Sequence, residues 1–310
     1  MSSVFSKVAL ALLFPAVLAG CNEPAPQTAA PGEGDVTALA PGSYSFTTED
    51  GNDMPYTVSG AGDVTVLLVH CWMCDRTFWS EQVPVLAERY RTIAVDLPGH
   101  GEATADRDHW TVSAFGDDVA GLIEELDLSN IVLVGHSMGG PVSLRTAALA
   151  GDRVLGIVAV DTLHDAEFDF PGERLNSMVA ALEADFEKTC GDFVQQMFPE
   201  EDAEAAMNHV LDSSCSEERK VAGAALMKDF GDIDMRSWFS GAGVPIRAIN
   251  AAAPNPTQVE INRKYADFDV ALVENVGHYL HMTRPEEFNP LLLEAIEEIL
   301  DLSPAVEPEA

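Results

Sequence analysis

Basic residues are scarce in this chain: 17 Lys plus Arg stand against 51 Asp plus Glu in 310 residues, a formal net charge of −34. A surface that acidic repels phosphate backbones and anionic headgroups, which excludes nucleic acid as a partner and electrostatic attachment to a membrane surface. The apolar run Val8 to Leu18 has 11 residues, too few to cross a bilayer as a helix. Cysteine is limited to 5 positions, and the one C-x-x-C, Cys71 and Cys74, has no second ligand pair spaced for a tetrahedral zinc site. No internal repeat is visible, so solenoids and propellers are out. What remains is a globular composition, 47% hydrophobic and 22% charged, in a chain long enough to bury a sizeable core.

The two ends read differently from the middle. Residues 1–20 combine a positively charged start with a short apolar run, the pattern of a signal peptide. Leu18-Ala19-Gly20-Cys21 resembles the lipobox of bacterial lipoproteins. That resemblance implies cleavage before Cys21, lipid attachment to it, and membrane contact only through this anchor. With Asn22 next, it points to the outer membrane facing the periplasm. Residues 21–42, rich in Pro, Ala and Gly, are expected to be a flexible tether, and residues 303–310 an acidic disordered tail. In an oxidising compartment Cys190 and Cys215, which lie in one helical region, could pair.

Between these ends, short Val- and Ile-rich runs alternate with stretches of helical periodicity, the pattern of βαβ crossovers in a parallel sheet. DVTVLLVH, YRTIAVDL, NIVLVGH and RVLGIVAVD are the first such strands, preceded by a hairpin. The alternation stops after Asp161. Residues 162–237 show only helical spacing and are expected to form an inserted lid, and the pattern resumes through 238–302.

Gly135-His136-Ser137-Met138-Gly139 is a G-x-S-x-G sequence between a Val-rich strand and a helix. In that setting a sharp turn projects Ser137 at the helix N-terminus, and only glycine at the flanking positions lets strand and helix approach. A serine hydroxyl needs a base, and a base needs an orienting acid. ENVGHYLHMTRPEEF, after the last strand, supplies His278 as the base, with His281 as its rival. These motifs, with Asp96-Leu97-Pro98-Gly99-His100-Gly101, resemble the α/β-hydrolase fold family over residues 43–161 and 238–302.

That resemblance implies an α/β fold, a mostly parallel sheet flanked by helices, and a serine hydrolase acting on a small-molecule ester or related acyl bond without a cofactor or metal. It also implies an oxyanion hole made by the backbone N–H groups of Trp72 and Met138. Two departures stand out. Cys71 occupies a position where the family has glycine, and the loop after VPIRAIN, residues 250–257, holds no carboxylate. The acid is therefore expected one strand earlier, at Asp161, with Asp165 as second choice. Two other readings stay open at this level: a catalytically degenerate member that only binds, and a periplasmic thiol-disulfide protein using Cys71 and Cys74, which would require an exposed Cys71 of depressed pKa; a structural disulfide between those two cysteines, or two free thiols under the lid, is the reading preferred over the redox one.

Overall fold

The computed structural model describes residues 39–107, 110–169, 172–199, 203–216, 220–229 and 233–303. Residues 1–20, Cys21, most of the expected tether and nearly all of the expected tail lie outside them. An eight-stranded sheet runs in the order β1-β2-β4-β3-β5-β6-β7-β8. The strands are Gly42–Thr47, Asp53–Ser59, Thr65–Val69, Arg91–Val95, Ile131–His136, Val154–Val160, Ile246–Ala251 and Phe268–Val273, numbered β1 to β8. β1 pairs antiparallel with β2 and β2 antiparallel with β4, while β3 to β8 are parallel. Helices connect them: α1 Val83–Ala87, α2 Val112–Glu125, α3 Gly139–Ala150, α4 Gly172–Ala184, α5 Phe186–Gln195, α6 Glu204–Ser214, α7 Lys220–Asp229, α8 Met235–Ala242, α9 Val259–Asn262, α10 Leu280–Thr283 and α11 Pro285–Leu302.

The continuous apolar runs follow from burial on both faces. Along β3, Leu67 and Val69 join the core on one side of the sheet while Val66 and Leu68 join the other, and β5 divides Leu133 from Val132 and Val134 in the same way. Period-two alternation carries no polar face here because neither face meets water. Helix ends are set locally. Thr111 caps α2 by accepting from the Ala114 N–H at 3.0 Å, Asp185 caps α5, and Gly243, in the left-handed region at φ 67°, ends α8.

The four helices α4 to α7 all fall between β6 and β7, where the sequence loses its strand pattern. Helix α8 crosses the boundary drawn at residue 237 and packs on α3, so it belongs to the layer that covers the sheet. Because the chain leaves β3 for β4 on one side and returns to β5 on the other, the loops after β3 and β5 diverge and open a crevice at the carboxyl ends of the strands.

Candidate active site

Ser137 sits at the mouth of that crevice, in the turn between β5 and α3. Its φ of 53° is in the left-handed region, a conformation a non-glycine residue adopts only when its surroundings enforce it. Those surroundings are hydrogen bonds: the Ser137 N–H donates to Val160 O at 3.1 Å, and its carbonyl accepts from Gly140 N–H and from Thr162 Oγ1. The flanking glycines are obligatory. A Cβ on Gly135 would lie 2.2 Å from Gly139 O, and one on Gly139 would lie 2.3 Å from Val69 O.

Asp161 follows β6 directly and is held by two backbone links: its N–H donates to Ile249 O, and its Oδ1 accepts from Ala251 N–H at 2.9 Å. Its Oδ2 accepts from His278 Nδ1 at 2.6 Å. Burial by itself raises this carboxyl, but the hydrogen bond and charge of His278, with His164 and the Ala251 N–H, outweigh it and hold the pKa below the ordinary aspartate value. Asp165 lies apart from the histidine; its Oδ1 accepts from Glu167 N–H and closes a local turn.

His278 is fixed on three sides. Besides Asp161, its N–H donates to Met197 O at 3.1 Å, and its carbonyl lies 2.9 Å from His136 Nε2. The residue in the variable position of the serine turn thus orients the backbone of the candidate base. His281 is elsewhere: fully buried among Trp79, His136 and Phe288, with neither ring nitrogen hydrogen-bonded among the described residues. Burial lowers its pKa to about 3, and His136 is lowered well below the ordinary value for the same reason.

Ser137 and His278 line one cavity of about 170 Å³. Its floor is Cys71 and Trp72, from the loop after β3, and Tyr279, next to the histidine. The rest comes from the inserted helices: Phe193 and Val194 on α5, Met197 just after it, Ser214 ending α6, and Met227 on α7. Spacing alone assigns Phe193 and Met197 to packing, like Met178, Val179 and Leu182; the structure makes them cavity walls, because α5 lies across the crevice with one edge towards it.

Cys71 and Cys74 form a disulfide, as do Cys190 and Cys215. Cys71 is 2% exposed and Cys74 1%, so neither offers the accessible thiolate that a thiol-disulfide protein needs. The bond closes a turn in which Cys74 N–H donates to Cys71 O and Met73 takes φ 59°. Among the described residues, neither the Trp72 N–H nor the Met138 N–H donates to a protein acceptor. His70, buried, accepts from Leu97 N–H through Nε2 and so ties the loop after β3 to the loop after β4.

One residue escaped the sequence analysis. His164, three residues after Asp161, places its Nε2 3.7 Å from Asp161 Oδ1 while Nδ1 faces Thr257 and Asn250. Burial lowers its pKa below the ordinary histidine value; the charge of Asp161 opposes the shift and that of His278 adds to it. The histidine in Asp161-Thr162-Leu163-His164 is visible, but the turn that brings it back towards the carboxylate takes positive φ at Asp161, 42°, and at Leu163, 52°. No group of three His, Cys, Asp or Glu among the described residues is arranged to hold a metal ion.

The profile of the Alpha/beta hydrolase family matches residues 66–291, and the chain belongs to that family. The dihydrolipoyllysine-residue acetyltransferase component of the acetoin cleaving system of Pseudomonas putida is 38% identical over 128 residues, 41% of this chain and 34% of that protein; the chain thus spans about a third of that relative's length. The pimeloyl-[acyl-carrier protein] methyl ester esterase of Neisseria meningitidis is 26% identical over 247 residues, 76% of this chain and 78% of that protein. Among solved structures, a thermophilic esterase from Thermogutta terrifontis superposes with a TM-score of 0.71 at 22% identity, covering 83% of this chain and 99% of that one, a likeness of fold.

Proposed function

We propose that this member of the alpha/beta hydrolase family is a serine hydrolase that cleaves a small ester through Ser137, His278 and Asp161. The observation that carries it is the 2.6 Å contact between Asp161 Oδ2 and His278 Nδ1, made by a histidine that shares a cavity with a serine held in a strained turn. With Nδ1–H given to the carboxylate, Nε2 is left as the acceptor of the Ser137 proton. Ser137 Oγ attacks the acyl carbonyl, His278 takes its proton and returns it to the leaving alcohol, and the acyl group remains on Oγ. A water molecule, deprotonated by the same nitrogen, then releases the acid and restores the serine. The free N–H groups of Trp72 and Met138 are the donors for the oxyanion formed in each half.

Cavity size supports a small substrate. A cavity of roughly 150 Å³ accepts benzene, so this one suits a group of roughly six to eight non-hydrogen atoms. The esterase names of two relatives agree with ester chemistry. We also infer export and attachment through a lipid on Cys21, which two disulfides suit because they persist in oxidising compartments. Fatty-acid labelling lost in Cys21→Ala would test it.

The hydrolase reading is tested by intact-mass analysis after treatment with a serine-directed organophosphonate. One adduct on the wild type and none on Ser137→Ala is the expected result. Absence of an adduct on the wild type would overturn the reading.

A further inference from the structure

The inserted helices place one polar side chain in the cavity wall that the hydrolytic chemistry does not use. Ser214 is 1% exposed, ends α6 and borders the same cavity as Ser137 and His278. Its Oγ has no hydrogen-bond partner among the described residues. A buried hydroxyl left unpaired destabilises a fold, whereas alanine would fill nearly the same volume without that penalty. The surrounding wall, Phe193, Val194, Met197 and Met227, offers no acceptor from its side chains beyond weak thioethers. The Trp72 indole N–H is already committed to Gly223 O at 3.1 Å.

We propose that Ser214 is a specificity-determining residue: its hydroxyl donates to a neutral oxygen carried on the apolar group that the cavity encloses. Resting on the hydrolase reading for the ester itself, this narrows the substrate to a small ester whose acyl chain bears a ketone, ether or amide oxygen beyond the scissile carbonyl. A carboxylate is disfavoured at that point. Among the described residues no Lys or Arg lines the cavity, and an anion brought into an apolar wall without a cation loses its hydration uncompensated.

The helix end that carries the hydroxyl is tied down in advance of binding. Cys215, the next residue, is disulfide-bonded to Cys190 on α5, and α5 carries Phe193 and Val194 of the facing wall. The donor and the apolar wall therefore form one cross-linked unit, and little freedom is lost when a ligand bridges them.

The test separates this inference from the hydrolase reading by measuring binding where no turnover intervenes. In Ser137→Ala protein, titration calorimetry would compare methyl hexanoate, methyl 5-oxohexanoate and methyl 4-oxopentanoate. An apolar cavity alone favours the hexanoate; a serine donor reverses the order, and one neutral hydrogen bond corresponds to about 3- to 10-fold tighter binding of at least one oxo ester. Adding Ser214→Ala is expected to abolish that preference, and adding Tyr279→Phe, the other hydroxyl at the wall, to leave it intact. Monomethyl glutarate, with a carboxylate in place of the acetyl end of the 5-oxo ester, is expected to bind more weakly than that ester.

Tighter binding of the hexanoate than of both oxo esters, a preference that survives Ser214→Ala, or one removed by Tyr279→Phe would overturn the assignment. Strong binding of monomethyl glutarate would overturn the neutral-oxygen class. Hydrolysis of the same esters by the wild type is scored separately: a Ser214-dependent binding preference without turnover would uphold Ser214 and remove the hydrolase reading.

Discussion

The sheet and the helices inserted between β6 and β7 both face one cavity, but they hold their residues there by different physics. Ser137, Asp161 and His278 stand at or beyond strand ends, each pinned by backbone hydrogen bonds and two of them in left-handed conformations. Phe193, Val194, Ser214 and Met227 stand on helices, and Met197 just after one, held by apolar packing and one cross-link. The first set has its geometry enforced by a rigid lattice, which suits chemistry that tolerates little displacement. The second can change side chain by side chain without disturbing that lattice, which suits selectivity.

The sharpest way to break this division is at Asp161. Asp161→Asn is expected to lower kcat on a good ester by about 10³- to 10⁴-fold, because an amide in that place imposes the wrong tautomer on His278. Asp165→Asn, four residues on and confined to its own turn, is expected to stay within about twofold of the wild type. Steady-state kinetics on the two variants decides it: equal losses would mean that the carboxylate on the histidine is not special.

The division also explains what was legible. Ser137, His278 and Asp161 could be proposed from the sequence because a serine, a histidine and an acid that work together are sought at or after strand ends, and strand ends are visible in Val- and Ile-rich runs. The missing carboxylate after VPIRAIN carried information as well: Asn250 stands there and instead clamps the turn after Asp161, accepting from Thr162 N–H and donating to Thr162 O. The walls were not legible, since Phe193 and Leu182 look alike in a helical period although one lines the cavity and the other is fully buried. His164 was missed for a third reason: its approach to Asp161 depends on a backbone angle at Leu163 that no residue type announces.

A second test acts on the insertion. The Cys190–Cys215 bond spans 25 residues of chain, and a loop of that size is stabilised by about 3 kcal/mol in the chain-entropy account. Cys190→Ser with Cys215→Ser is expected to lower the urea midpoint and to raise KM more than it lowers kcat, since the variant loosens a wall and reaches the reacting groups only through the Met197 O that accepts the His278 N–H. A fall in kcat with KM unchanged would show that the insertion takes part in positioning the reacting groups.

Acidification probes the layer beneath the strand ends. His281, packed against Trp79, His136 and Phe288 and facing His278 and Asp161 beyond them, titrates near 3 when folded, against about 6.5 when unfolded. The unfolded chain therefore binds the proton first. The stability contributed by the neutral ring is fully present above about pH 6.5 and is lost as pH falls below it, at up to about 1.4 kcal/mol per pH unit. His136 adds in the same direction. His281→Phe is expected to flatten the fall in urea midpoint between pH 6.5 and 4 without abolishing it, and an unchanged slope would place the acid sensitivity elsewhere.

The smallest effect tests whether the two disulfides differ as their regions do. Cys71 and Cys74 are only 3 residues apart, so their bond removes little chain entropy and its loss is expected to lower stability by no more than about 2 kcal/mol. Its other consequence is local: it closes the turn that presents the Trp72 N–H and holds Cys71 where the family resemblance implies glycine. Removing an oxyanion donor outright costs about 10²- to 10³-fold in kcat, and loosening one should cost less, about tenfold. Cys71→Ala with Cys74→Ala is therefore expected to lower kcat by that amount with KM nearly unchanged, the reverse of the pattern expected for the insertion's disulfide. If both double variants raised KM alone, the turn after β3 would belong with the walls, and the line between chemistry and selectivity would have to be redrawn inside the sheet's own loops.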